Sequence, residues 1–208
     1  PYDAFLAELS PLLSNKVAAF VDAFSHLRGE DLEGSAERFL AGVSGAFPDA
    51  LKPQLIISMG LPPMSKGLRA QLSALDADHW HLGSDGEAWD LFGKGVQHWK
   101  VPAPQGLQLL LESLPEYNAY AASWSVLRDQ IQMAEQQALA AMTMPWSDWM
   151  AFSMVSDQFG HQDPLGALHF ANSTSARYAQ WFPWNALRLH ANRGVAGIDG
   201  GLSTAVGD

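Results

Sequence analysis

The sequence predicts an α/β fold of the doubly wound kind: a mostly parallel sheet with helices on both faces. Three observations carry this. Short apolar runs of β type recur along the chain, the clearest being "LIISM" at residues 55–59. Between them lie longer stretches whose apolar residues fall three and four apart, the period of a helix. The two kinds alternate, which is the pattern of βαβ units whose crossovers cover the sheet.

In chain order, residues 3–13 place Phe5, Leu6, Leu9, Leu12 and Leu13 on one helical face. Residues 17–21 form an apolar run too short for a helix, which predicts a buried strand. Residues 30–47 read as a helix, with Leu32, Ala36, Phe39, Leu40 and Val43 on one face and Pro48 as the stop. The strand 55–59 runs into Gly60, and residues 65–75 follow as a helix. A strand at 79–82 ends at the turn signal Gly83-Ser84-Asp85-Gly86, and a further strand is expected at 98–101. Helices are predicted at 104–114, 117–142 and 147–158. Strands at 167–171 and 187–191 flank a last helical stretch, 173–181. Residues 192–208 hold five glycines and break the pattern. We read 1–191 as one α/β domain and 192–208 as the opening of another.

Composition excludes several functions. The chain has 208 residues, enough for a hydrophobic core without staples. It has no cysteine, hence no disulfide scaffold, no thiolate metal site and no cysteine nucleophile. That suits a reducing compartment, and a cytoplasmic location is expected. Twelve Lys and Arg against 22 Asp and Glu give a net charge of −10, which repels nucleic acid and anionic membranes alike. No apolar run approaches the ~18 residues of a spanning helix, so no membrane insertion is expected. The start, Pro1-Tyr2-Asp3-Ala4, has neither an initiator Met nor the profile of a signal peptide, and is read as the start of an excised piece. Charged residues are only 16% of the chain against an ordinary ~25%, which predicts surface covered by other domains or subunits, or else plain compositional drift.

Ligands of open α/β sheets gather outside the carboxyl ends of the strands. Three such ends carry chemistry. In "ANSTSARYAQ", Asn172 and Ser173 stand where a strand hands over to a helix, and Arg177 follows one turn on. A guanidinium beside a helix start suits a carboxylate or phosphate; the alternative is an ordinary cap and a surface arginine. In "ANRGVAGIDGG", Arg193 follows a strand directly and glycines permit close backbone approach; the alternative is a Gly-rich hinge, with Ile198 as plain packing. Lys66 follows the strongest strand and reads equally as a solvated lysine. His79, His81 and His98 could come together on one sheet face, but they have no acidic ligand at a clear spacing. There is no GxSxG, P-loop or HExxH motif.

The two C-terminal segments, "NSTSARYAQWF" and "ANRGVAGIDGGLSTAVG", resemble the pattern NSxxxR, a strand, then NRGxxGIDGxxSTAxG. That pattern is found in the 2-succinyl-5-enolpyruvyl-6-hydroxy-3-cyclohexene-1-carboxylate synthases, the MenD family of thiamine-diphosphate enzymes. Looser similarity reaches back through "MPWSDWMAFSMV", "HWHLGSDGEAWDLFG" and "PQLIISMGLPPMSKGLRAQL" to about Lys16. The resemblance implies a central α/β domain plus the opening of the diphosphate domain. The family reaction decarboxylates 2-oxoglutarate on thiamine diphosphate with Mg²⁺ and adds the resulting succinic-semialdehyde carbanion to isochorismate, in menaquinone biosynthesis.

By the same resemblance Arg177 and Arg193 hold substrate carboxylates, and Lys66 lies near isochorismate. Asn172 and Ser173 stand beside the cofactor, and Ile198 props it in a bent form. Where the family has Arg after the lysine, this chain has Gly67, with Arg69 two further on. The cofactor-activating Glu belongs to a separate pyrimidine domain, and the Gly-Asp…Asn magnesium motif lies further along the diphosphate domain. The implied partners are those two domains of the same polypeptide, small-molecule substrates, and other copies in a homo-oligomer. The chain by itself is expected to bind no cofactor tightly and to be inactive. The competing reading is a non-catalytic doubly wound module that binds a small anion.

Overall fold

A computed structural model describes residues 13, 16–25, 27, 32–84, 86, 88–116, 118–159, 167–182, 184, 188–192 and 200–207. The predicted helix at 3–13 lies outside these apart from Leu13.

Five strands are formed: β1 (Leu55–Met59), β2 (Asp78–Leu82), β3 (Val96–Trp99), β4 (Ala167–Phe170) and β5 (Arg188–Ala191). All pairing between them is parallel, in one set ordered β1-β2-β3 and another made of β4 and β5. The helices are α1 (Ala36–Gly42), α2 (Lys66–Ala74), α3 (Ala103–Ser113), α4 (Ala119–Ala141), α5 (Asp148–Phe159), α6 (Thr174–Ala179) and α7 (Gly201–Gly207). This is the mixed α/β, parallel-sheet architecture read from the alternating pattern. No helix among the described residues is long and apolar enough to cross a membrane.

The helices cover both faces of the first sheet. On one face α3 sends Leu107 and Leu111 onto Ile57, Met59 and Leu82. Helix α3 comes close there because Gly106 has no side chain: a Cβ at that position would stand 2.8 Å from Val101 Cγ2. A second core gathers Phe39 and Leu40 of α1, Leu68 of α2, and Trp124 and Ile131 of α4. Two lysines finish helices. Lys16 Nζ donates to Leu111 O at 2.6 Å, and Lys94 Nζ donates to Ser73 O at 3.1 Å and also to Leu75 O. Cations there meet the unsatisfied carbonyls and the negative end of the helix dipole.

The apolar run 17–21 is half-buried between two cores, though it forms no regular strand. Val17, Ala19 and Val21 pack into the α3 core, while Ala18 and Phe20 pack into the α1/α4 core. That alternation is the side-chain period of a strand. Its backbone pairing is limited to a parallel bridge between Phe20 and Glu33, with Val21 N donating to Glu33 O at 2.9 Å and Glu33 N donating to Ala19 O at 3.0 Å.

The same bridge shortens the helix predicted over 30–47. Glu33 is in extended pairing and Ser35 caps α1, its Oγ accepting from Arg38 N at 3.2 Å. The helix ends seven residues later at a left-handed turn, Ser44 φ 56° and Gly45 φ 82°. Leu32 shares the apolar spacing but precedes the cap. Glu33 is a buried carboxylate: burial pushes its pKa up, against the opposing pull of the Arg38 guanidinium 3.3 Å away.

Two boundaries differ from expectation. Strand β3 begins two residues earlier than the predicted 98–101, because its pairing with β2 runs from Val96 to Trp99 and Val101 N already turns back onto Trp99 O. Helix α7 forms within the Gly-rich stretch 192–208, which reads from sequence as the opening of another domain with no element assigned in it. Hydroxyls close its first turn: Ser203 Oγ and Thr204 Oγ1 both donate to Gly200 O, at 3.0 and 2.8 Å.

Candidate functional site

The site is built where β4 and β5 end. The apolar side chains Phe170 and Leu189 anchor these strands in a core with Trp184, Ala179 and Ala23. Beyond the anchor the chain turns polar. Asn172 is 8% exposed, and its Nδ2 donates to Asn192 O at 2.8 Å, so the segment after β4 is tied to the segment after β5. The start of α7 comes to the same place. A Cβ on Gly201 would stand 3.9 Å from Ala171 Cα, and one on Gly200 would stand 3.9 Å from Asn192 Nδ2. Three segments thus meet at two strand ends, with glycine where the backbones approach.

Ser173 turns the chain from β4 into α6 with φ 67° and ψ −119°, a conformation that costs a non-glycine residue energy. It occupies the position before α6, as the sequence predicts, but its hydroxyl makes no capping bond. The capping role is therefore corrected. A residue held in that left-handed backbone does not aim its side chain back at the first-turn N–H groups as an extended cap does. Its side chain is exposed instead. Arg177, in the last turn of the six-residue α6, is exposed.

Lys66 is the first residue of α2, placed by the Gly60–Ser65 turn after β1 and by Ser65, whose Oγ accepts from Leu68 N at 2.9 Å. Its side chain is exposed. The glycine beside it has a packing reason. A Cβ on Gly67 would stand 3.1 Å from Leu40 Cδ1 and 3.4 Å from Glu37 Oε2, so a large side chain there would press on α1. Arg69, two residues on, is half-buried.

Arg193 and Ile198 lie outside the described residues. Of the predicted site residues, Asn172 and Ser173 are joined by sequence and Asn172 is bonded to the end of β5. Lys66 and Arg177 stand on separate elements, linked by a polar clip that sequence reading missed: Asp22, Met64 and Gln180. No local motif announces it, because its members are 42 to 158 positions apart.

A second polar group lies on the first sheet. Ser58 Oγ is 2.9 Å from His79 Nε2 and 2.9 Å from His81 Nδ1. His98 Nε2 bonds Gly83 O at 2.9 Å, and the His81 and His98 rings stand 5.6 Å apart between centroids. Burial holds His79 below the ordinary imidazole range, against the pull of Asp90; burial and then His98 do the same to His81. The three histidines do come together on one face. Among the described residues no group of three or more His, Asp or Glu side chains could hold a metal ion.

Comparison with known proteins gives the following. No family model matches the chain. Among curated proteins, the 2-succinyl-5-enolpyruvyl-6-hydroxy-3-cyclohexene-1-carboxylate synthase of Porphyromonas gingivalis is 32% identical over 200 residues, covering 90% of this chain and 33% of that protein. The synthase of the same name from Flavobacterium psychrophilum is 30% identical over 161 residues, covering 75% of this chain and 28% of that protein. That of Bacteroides fragilis is 27% identical over 215 residues, covering 98% of this chain and 36% of that protein. The chain spans about a third of the length of these relatives. Over that third, the chain belongs to the family of 2-succinyl-5-enolpyruvyl-6-hydroxy-3-cyclohexene-1-carboxylate synthases.

Proposed function

We propose that this chain is the central domain and the opening of the diphosphate domain of a synthase of menaquinone biosynthesis. That synthase joins the four-carbon unit left by decarboxylation of 2-oxoglutarate to isochorismate. The observation that supports it best is the meeting of the β4 end, the β5 end and Gly200-Gly201 around Asn172, in the stretch that resembles the family pattern most closely.

The chemistry of the donors fits a bound thiamine diphosphate at that place. A buried carboxamide and glycine backbones leave room for a flat ring and its diphosphate tail to approach closely. When bound, the cofactor supplies the electron sink for decarboxylating a 2-oxo acid. Asn172 and Ser173 would line its side of the pocket, with Ile198 supporting it. Arg177 and Arg193 grip carboxylates, the guanidinium fork matching two oxygens at once. Lys66 offers a point charge to the acceptor acid.

The pyrimidine and remaining diphosphate domains would cover what is bare here. Leu202 and Val206, four apart on α7, are both 81% exposed. A homo-oligomer in the cytoplasm is part of the same reading. The chain alone lacks the activating Glu and the magnesium motif, so it should bind the cofactor weakly and turn nothing over.

Steady-state kinetics of the full-length protein tests the site. Arg193→Ala and Arg177→Ala should each cost about 2–5 kcal/mol of carboxylate interaction, read as a fall in kcat/KM, if the guanidinium is desolvated in the assembled enzyme. Unchanged kinetics would remove both arginines from the site. A calorimetric titration of this chain with thiamine diphosphate and Mg²⁺ giving micromolar affinity would overturn the division of labour between domains.

A further inference from the structure

The polar clip between Lys66 and Arg177 carries more than packing. Gln180 is 8% exposed and both ends of its carboxamide are used. Its Oε1 accepts from Ala23 N at 2.9 Å, and its Nε2 donates to Asp22 Oδ1 at 3.1 Å and lies 3.4 Å from Met64 Sδ. Asp22 is used as fully. Its Oδ1 also accepts from Phe24 N at 3.1 Å, and its Oδ2 accepts from Met64 N at 3.1 Å. Three segments are thereby fastened together: the turn after the half-buried run 17–21, the loop after β1, and the end of α6.

Each outer end of the clip stands beside a cation. Met64 is two residues before Lys66, at most ~7 Å along an extended chain. Gln180 closes α6, its N–H donating to Arg177 O at 3.1 Å, so Arg177 is one turn back on the same short helix. Both cations are exposed. The clip therefore fixes, relative to one another, the two short stretches of backbone that carry Lys66 and Arg177.

We propose that Asp22 and Gln180 are positioning residues that set the separation of Lys66 from Arg177, and so the fit of the acceptor acid to the site. This rests on the synthase reading of the site. The polarity of the clip is specific. A carboxamide offers a donor to Asp22 and an acceptor to Ala23 N–H; a carboxylate in its place would oppose Asp22 with like charge.

The test uses the full-length protein with isochorismate concentration varied. Gln180→Glu and Gln180→Met should each raise the KM for isochorismate about ten-fold or more and leave kcat within about three-fold, since the clip touches no reacting atom. In Gln180→Glu the defect should shrink as pH falls, because two adjacent carboxyls come to share a proton. Gln180→Met, which cannot take up a proton, should show no such recovery. The melting temperature of each variant is recorded beside the kinetics. An unchanged KM in active Gln180→Glu and Gln180→Met proteins, with only the melting temperature lowered, would reduce the clip to a structural fastening and overturn the inference alone. A wild-type protein that neither turns over nor binds isochorismate would instead overturn the site reading, and the inference with it.

Discussion

The two parallel sheets hold similar residues to different ends. In the β1-β2-β3 sheet the polar side chains face one another: Ser58 bridges two imidazoles, and His98 is spent on Gly83 O. The α3 core packs on it, and at its strand ends the left-handed backbone falls on glycines, Gly60 after β1 and Gly86, Gly93 and Gly95 between β2 and β3. At the β4–β5 ends, Asn172 is turned onto the backbone after β5, Ser173 sits at φ 67°, and Arg177 is exposed. On the function proposed above, a non-glycine residue held in a costly backbone conformation, beside an exposed cation at strand carboxyl ends, marks the second sheet as the place for a ligand. Histidine count alone would point to the first sheet.

If the first sheet is structural, damage to its cores should cost stability and leave substrate recognition alone. The largest effect is expected at Phe39, fully buried, its ring stacked on Trp124 at 4.7 Å and set edgewise to Phe20 at 5.4 Å. Phe39→Ala should lower the unfolding free energy by about 3–5 kcal/mol in denaturant titration. A folded variant with altered KM would blur the distinction between the two regions. The counterpart at the second sheet is Asn172→Ala, which leaves Asn192 O without its donor. The expected loss is about 1–3 kcal/mol, and faster amide exchange should appear at the ends of β4 and β5 but not in β1–β3. Uniform loosening across both sheets would count against a local tie.

Legibility followed the range of the interaction. Strand β1 was readable to the residue because a β-branched apolar run bounded by Pro53 and Gly60 has no other home. Helices α3, α4 and α5 were readable to within two residues, because their apolar period persists for 11 residues or more. The α1 boundary differs because Leu32 continues the helical spacing while Glu33 beside it pairs with residues 19 and 21, a contact that spacing cannot reveal. At the site, Asn172, Ser173 and Arg177 were legible as a motif at a strand end. The clip was not, since Asp22 and Gln180 become neighbours only through the fold. The backbone of Ser173 was hidden too: nothing local marks a serine for φ > 0.

A smaller effect tests a helix start away from both sheets. Ser35→Ala removes the acceptor that caps α1 and should cost about 1 kcal/mol in denaturant titration. Equal stability of the Ala variant would mean that the bridge at Glu33, not the cap, fixes where α1 begins.

The smallest effect expected is a slope with pH, and it bears on the first sheet alone. One hydroxyl carries one proton, so Ser58 donates to one imidazole and accepts from the other. The Asp90 carboxylate, 4.0 Å from His79 Nδ1, favours an N–H there. His79 Nε2 is then bare and takes the Ser58 proton, while His81 Nδ1–H donates to Ser58. The pattern needs His79 Nε2 bare, so that ring must be neutral, and burial lowers the pKa of both rings from 6.5. The unfolded chain therefore takes up these protons first as pH falls through 6.5. The stability they contribute is complete above that pH and is lost as pH drops toward their lowered folded values. Denaturation midpoints at pH 7.5 and 5.5 should differ in that direction, and His81→Gln should reduce the difference. An unchanged slope in that variant would mean that the acid sensitivity arises elsewhere.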